Sequence, residues 1–375
     1  MNNIDSKNLT LFLEKTLSLA KKGRGYVSPN PEVGCVIVQN GEIIGRGFHE
    51  KFGENHAEVN AILDAENSGF SVEGSSVFVS LEPCSHASSH KKTPPCTNLL
   101  IQKKVSRVYI LHQDSNPEVS GKGAKKLQEA GIEVFFASEH FPEIFEKHRN
   151  FYEKFAYWIQ QKHIHKTPYV TLKLAQDTQN FLGIKDEKTK ISGAVCREFT
   201  LKERDTHQAI LVGANTVLVD NPILSGEKTH PLRIILDSRN TFTIHSTQNS
   251  TQNSTKNISK NISKKYQDLH VFRDKNFLVI SGKRSVSEIL SFLGEKNISS
   301  VFVEGGGKTA QKFLESKLVQ KYIQYTCQKN LSQEAKKHSK NLVKGVEISE
   351  FPEMNLSHQF FLGEDEVNIY KNTLL

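Results

Sequence analysis

Apolar residues along this chain alternate between stretches of helical spacing and short, nearly continuous strand-like runs, and that alternation limits the fold more than any other feature. Leu9, Phe12, Leu13, Leu17 and Ala20 fall on one helical face, which Gly23 and Gly25 then end. Residues 34–38 and 42–45 flank Asn40-Gly41, a dipeptide that accepts the positive backbone angles of a tight hairpin. Val59, Ile62 and Leu63 restore helical spacing, 77–81 reads as a buried strand, and 99–101 opens a further helix after Pro94-Pro95. Strand 107–111, a helix near 125–130 and strand 132–136 follow, so the first part of the chain is expected to be a layered α/β domain.

From Phe141 to about Lys166 the chain is charged and aromatic with no strand pattern, the mark of a bridging helix and linker. Strand-like runs resume at 169–175, 209–213, 232–236 and 301–303, separated by helix-length segments, which predicts a second α/β domain. A length of 375 residues exceeds the usual single core. The expected division is a domain over 1–148, a linker helix over 149–167 and a domain over 168–375. Residues 246–264 are nearly all Ser, Thr, Asn, Gln and Lys, with Asn249, Asn253, Asn257 and Asn261 four apart. Such a stretch buries too little apolar surface to offset ordering, and is read as a disordered loop whose Asn-x-Ser/Thr triplets are a repeat rather than glycan sites.

Composition narrows the function. No segment approaches the ~20 apolar residues of a membrane span, and residues 1–7 lack the features of an export signal, so the cytoplasm is the expected compartment. The net charge of +8 comes from 49 dispersed basic residues, a pattern that suits a small phosphorylated ligand better than nucleic acid. Five cysteines are too few for a disulfide scaffold. Cys35, Cys196 and Cys327 read as buried small residues.

The other two cysteines carry chemistry. His56-Ala57-Glu58 opens a helix with Asn55 as its cap, Glu82-Pro83-Cys84 ends a strand, and Cys96 starts the next helix. His56, Cys84 and Cys96 would hold zinc through three protein ligands, which leaves a fourth position for water, as in catalytic sites. Glu58, beside the ligands but not one of them, is the candidate proton carrier. A His-x-Glu followed by Pro-Cys and a second cysteine marks zinc nucleobase deaminases, although the cysteines here stand twelve apart instead of three.

Pro29-Asn30-Pro31, His56-Ala57-Glu58-Val59, Glu82-Pro83-Cys84-Ser85-His86 and Thr93-Pro94-Pro95-Cys96 closely resemble the bifunctional riboflavin-biosynthesis deaminase-reductases. The likeness continues through Gln113-Asp114-Ser115-Asn116-Pro117, Asp220-Asn221-Pro222 and Glu304-Gly305-Gly306. It implies a cytidine-deaminase-like three-layer αβα domain, then a dihydrofolate-reductase-like α/β domain. It also implies zinc-dependent deamination of a diaminopyrimidinone ribosylamino phosphate, then reduction of its ribosyl to a ribityl chain by NADPH. By the same resemblance Asn30, His49, His86 and Lys92 would hold the ring and phosphate at the zinc site. Arg204, Leu224 and Glu304 would touch the reductase substrate, and Ala175, Thr216, Asp220, Gly306 and Gly307 would contact NADPH.

Several positions depart from the family: Gln179 and Asn180 in a turn that is usually Ser-x-Asp-Gly, Lys188 and Lys190 where a Ser-x-Trp element stands, and Glu227 where a substrate arginine is found. A carboxylate facing the substrate phosphate would weaken binding unless Lys228 takes over. Two other readings therefore stand beside the complete enzyme. One is a deaminase whose second domain is a binding or assembly module; the other is a zinc deaminase for a free base or tRNA. The sequence leaves a homo-oligomer open.

Overall fold

The computed structural model describes residues 6–85, 94–117, 119–162, 166–242, 258–259, 262–337 and 340–373. The chain divides into two compact units, Met1–Ile164 and His165–Leu375.

The first unit runs α1 (Ser6–Ala20), β1 (Gly34–Gln39), β2 (Glu42–Phe48), α2 (Ala57–Asn67), β3 (Ser76–Leu81), α3 (Cys96–Gln102), β4 (Arg107–His112), α4 (Lys122–Glu129), β5 (Glu133–Phe136), α5 (Ala137–His140), α6 (Pro142–His148) and α7 (Glu153–Lys162). Its sheet has the order β2-β1-β3-β4-β5. β1 is antiparallel to β2 and β3, while β3, β4 and β5 are parallel. Asn40 and Gly41 turn the hairpin at φ 53° and 84°.

Alternate strand residues sort onto opposite faces. Cys35, Ile37, Val77, Val79, Val108 and Ile110 pack with Ala61 and Ile62 of α2, Leu100 of α3 and Leu127 of α4. Val36, Val38, Phe78, Tyr109 and Leu111 pack with Phe12, Leu13 and Leu17 of α1 and Ile144 of α6. The expected three layers are therefore present. Gly47 seats α2 hard against β2, because a Cβ there would lie 2.3 Å from the Ala57 carbonyl oxygen. Behind the end of β3, Gly34 N–H donates to Ser80 Oγ, Ser80 to Tyr152 Oη, and Tyr152 to the Glu32 carbonyl, over 3.0, 2.8 and 2.8 Å.

The second unit runs β6 (Tyr169–Asp177), β7 (Phe181–Ile184), α8 (Ala194–Asp205), β8 (Ala209–Gly213), α9 (Ala214–Asp220), β9 (Leu232–Asp237), β10 (Ile258–Ser259), β11 (Phe277–Ser281), α10 (Val286–Glu295), β12 (Ser300–Glu304), α11 (Gly307–Glu315), β13 (Lys321–Cys327), α12 (Leu331–Lys337), β14 (Leu342–Lys344), β15 (Met354–Leu362) and β16 (Asp365–Asn372). Nine strands form one sheet in the order β10-β11-β9-β8-β12-β6-β13-β16-β15, and β14 pairs with β7. The six from β11 to β13 in that order are parallel. One face packs on α10 and α11 through Leu290, Leu293, Phe313 and Leu314. The other carries Ile210, Val212, Ile235 and Phe302 against Cys196 of α8 and Val217 of α9.

The stretch read as a disordered loop differs at its end. Residues 246–257 and 260–261 lie outside the described residues, but Ile258 and Ser259 pair with Ile280 and Val279, and Ile262 is buried against the core. Ile262, at the end of the polar repeats, supplies buried apolar area that the composition average hides. No helix among the described residues is long and apolar enough to cross a membrane.

Candidate active sites

Three element ends converge in the first unit. His56 precedes α2 in an extended conformation (φ −74°, ψ 164°), and its carbonyl accepts from Asn60 N–H. It is therefore the cap residue, not Asn55. Asn55 stands one position earlier, and its carbonyl is used by His49. Cys84 follows β3, and Cys96 is the first residue of α3. His56 Nδ1 lies 3.6 Å from Cys84 Sγ and 3.4 Å from Cys96 Sγ, and the three donor atoms fall within 4.8 Å of one another. Tetrahedral zinc with ordinary Zn–N and Zn–S bonds places such donors about 3.6 Å apart, so the donor set fits the ion in chemistry and spacing. Backbone supports hold it: Cys96 N–H points at Cys84 Sγ (3.3 Å), and Thr97 N–H donates to the Cys84 carbonyl (3.2 Å).

Glu58, on the first turn of α2, is 3% exposed, and its Oε2 has no hydrogen-bond partner among the described residues. Burial, with the Cys84 sulfur adding to it and His56 opposing, raises its pKa above the usual carboxylate range. A buried carboxyl group with a raised proton affinity and an unpartnered Oε2 is suited to take up and release a proton. Asn30 Nδ2 donates to His49 Nε2 (3.2 Å), so the His49 proton sits on Nδ1 and goes to the Asn55 carbonyl (2.9 Å). The His49 ring packs edge-on against His56 at 5.4 Å, and burial lowers its pKa, leaving it neutral at pH 7. Asn30 and His49 thus stand beside the ligand cluster. His86 and Lys92 lie outside the described residues.

Glu82 was not picked out among the site residues, yet it ties this site together. Its buried carboxylate accepts four backbone N–H groups: Gly123 and Ala124 on Oε1 (3.0 and 3.1 Å), Gly121 and Asp114 on Oε2 (2.9 and 3.3 Å). Two of these are orphan donors at the start of α4, where a negative charge is favoured. The only sequence hint was a glutamate directly before Pro83-Cys84.

In the second unit a cleft of about 360 Å³ opens at the carboxyl ends of β6, β8 and β12. Ala175, Arg204, Thr216, Asp220, Leu224, Glu304 and Gly306 all line it. Such strand ends are where ligands bind in open α/β sheets. Arg204 grips Glu304 through Nε and Nη2 (2.5 and 3.0 Å) and donates from Nη1 to the Ser225 carbonyl (2.9 Å). Burial pushes the Glu304 carboxyl up, but the opposing charges of Arg204 and Lys173 and the Arg204 hydrogen bonds outweigh it and hold the pKa below the usual range. A Cβ on Gly306 would meet nothing within 4 Å, so bare backbone faces open space at the start of α11, a fit for a cofactor phosphate. Gly307 begins that helix but turns against the Lys344 carbonyl and is not among the lining residues.

Glu227 does not face the cleft. Asp205 accepts from the Lys228 and Thr229 backbone N–H groups and the Thr229 hydroxyl, and this loop leaves Glu227 and Lys228 exposed and outside the lining. Lys173, Lys190 and Arg197 do line the cleft and were not among the expected contacts. Lys173 was legible as a lysine within the apolar run 169–175.

Comparison with known proteins matches both units. Residues 6–112 match the cytidine and deoxycytidylate deaminase zinc-binding region, and residues 168–342 match the RibD C-terminal domain. The riboflavin biosynthesis protein RibD of Actinobacillus pleuropneumoniae is 32% identical over 94% of this chain and 93% of its own length. That of Aquifex aeolicus is 35% identical over 85% and 86%. The structure of a Thermotoga maritima diaminohydroxyphosphoribosylaminopyrimidine deaminase/5-amino-6-(5-phosphoribosylamino)uracil reductase superposes with a TM-score of 0.77 at 29% identity, covering 98% of this chain and 99% of that one. With both domains present and relatives matched over nearly their full length, the chain belongs to the RibD family, bifunctional riboflavin-biosynthesis enzymes that join a zinc-dependent deaminase to an NADPH-dependent reductase.

Proposed function

We propose that residues 1–148 deaminate a diaminopyrimidinone ribosylamino 5′-phosphate at the His56, Cys84 and Cys96 cluster, and that residues 168–375 reduce the product's ribosyl to a ribityl chain. The observation that carries the first half is the pair of 3.6 and 3.4 Å imidazole–sulfur separations beside the unpartnered Glu58 Oε2. Zinc held by His56, Cys84 and Cys96 would supply water of lowered pKa. Glu58 would carry a proton to the ring amino group, which would leave as ammonia while oxygen from water replaces it on carbon. Asn30 and neutral His49 orient the ring, with His86 and Lys92 reserved for ring and phosphate contacts.

In the second unit NADPH supplies a hydride. Ala175, Thr216, Asp220 and Gly306 would hold the cofactor, while Arg204, Leu224 and Glu304 position the sugar. The partner is a small phosphorylated pyrimidine, with no nucleic acid or membrane, and the working compartment is the cytoplasm. The test is a coupled assay on the deaminase substrate with NADPH oxidation followed and zinc measured in the same sample. Glu58→Gln should retain zinc and lose deamination by about 10²- to 10⁴-fold, while reduction of separately supplied deaminated intermediate continues. Unchanged deamination would remove Glu58 from proton transfer.

A further inference from the structure

The reductase cleft presents two cations that the protein leaves uncompensated. Of the basic residues lining it, Arg204 is held bidentately by Glu304, and Lys173 packs its ammonium over the Tyr325 ring at 4.8 Å. Lys190 and Arg197 differ: among the described residues, neither side chain makes a hydrogen bond or ion pair. The carboxylates on the same wall do not serve them. Glu187 binds Lys340 at 2.8 Å, and the charge acting on Asp220 is that of Lys188.

Both cations flank one fixed helix entrance. Lys190 precedes α8 and Arg197 stands on its first turn, while Gly193 N–H between them is fastened to Asp365 Oδ2 at 2.7 Å. We propose that Lys190 and Arg197 form the subsite for the phosphate of the reductase substrate. This rests on the reading of the cleft as the reductase site. A phosphate dianion calls for charged donors, and a guanidinium fork matches its oxygens. The charge of Arg204 is already matched by Glu304, and Lys228 is outside the lining, so Lys190 and Arg197 are the unmatched cations of the cleft. The cofactor's own phosphates have the bare Gly306 backbone.

The test uses the full chain and NADPH oxidation, with the phosphorylated reductase substrate and with its dephosphorylated form. Arg197→Ala is expected to raise KM for the phosphorylated substrate about 10- to 100-fold with kcat within about threefold, as loss of a charged hydrogen bond does. Lys190→Ala should act in the same direction, and Arg197→Lys should recover part of the loss. On the dephosphorylated substrate all proteins should behave alike, and deamination by the same preparations reports that they are folded. Equal losses on both substrates would overturn the proposal. So would a KM rise for NADPH that is absent with NADH, because it would assign these residues to the cofactor phosphate. Should the wild type oxidise no NADPH, the reductase reading fails by itself. Calorimetric binding of the phosphorylated substrate to wild type and Arg197→Ala then still decides the subsite: weaker binding by the variant supports it, and equal binding refutes it.

Discussion

Replacing Glu82 by Gln should unseat the first unit while sparing the second. The carboxylate receives two N–H groups on each oxygen, at 2.9 to 3.3 Å, and is 4% exposed. Glutamine keeps the shape but turns one oxygen into an NH₂, so two of the four backbone donors then face a donor. With the remaining oxygen on Gly123 and Ala124, the groups left stranded are Asp114 N–H and Gly121 N–H. A hydrogen bond to a charged acceptor is worth about 1.5–3 kcal/mol, so the two amount to roughly 3–5 kcal/mol after some relaxation. That is a large share of the ~5–15 kcal/mol that stabilises a typical protein. Trp158, the one tryptophan of the chain, lies buried in the first unit, so its emission follows that unit specifically. The tryptophan transition should drop by about 6–20 °C at roughly 2–4 °C per kcal/mol, while NADPH oxidation on supplied intermediate persists to the wild-type temperature. A tryptophan transition displaced by less than about 1 kcal/mol would refute the reasoning.

Two further outcomes follow from packing and charge. Gly47→Ala would drive a methyl group to 2.3 Å from both the Ala57 carbonyl and Ala61 N; α2 must shift, and deamination should fall with a stability loss of about 1–3 kcal/mol or more, whereas deamination at the wild-type rate would show that α2 need not sit so close. The Glu304 carboxyl has a lower pKa folded than its ordinary 4.5, so its pairing stabilises the second unit above that value and is lost as pH falls through the lowered one. Glu304→Gln should be less stable at pH 7 by about 3–5 kcal/mol, because Arg204 is left buried without its partner, and should show a flatter acid limb; an acid limb equal to wild type would refute the assignment.

The alternation of periods made the layered folds legible, because strand residues 35–38, 77–81 and 107–111 meet helices on both faces and leave no polar side to blur the pattern. His56, Glu58, Cys84 and Cys96 were legible because three soft ligands and a flanking glutamate rarely coincide at element ends. What escaped was set by tertiary contacts. Asn55 has the better intrinsic capping preference, yet His56 occupies the cap of α2, and the Asn55 carbonyl is engaged instead by His49. Glu227 was expected to face a phosphate, but its direction depends on Asp205, over twenty residues away, fastening the loop. Arg197 carried no local signal and Lys190 only that of a departure from the Ser-x-Trp element, since only the fold shows which lysines and arginines border a cleft.

The hydroxyl chain ending on Tyr152 bears on how this protein can be cut. Tyr152 lies beyond residue 148, in the stretch expected to serve as a linker, yet its phenol closes a relay that fastens the neighbouring strands β1 and β3. A deaminase fragment ending at 148 would leave the Ser80 hydroxyl and the Glu32 carbonyl facing a vacated pocket. An excised fragment should therefore extend through α7, and the segment between the activities belongs to the scaffold of the first.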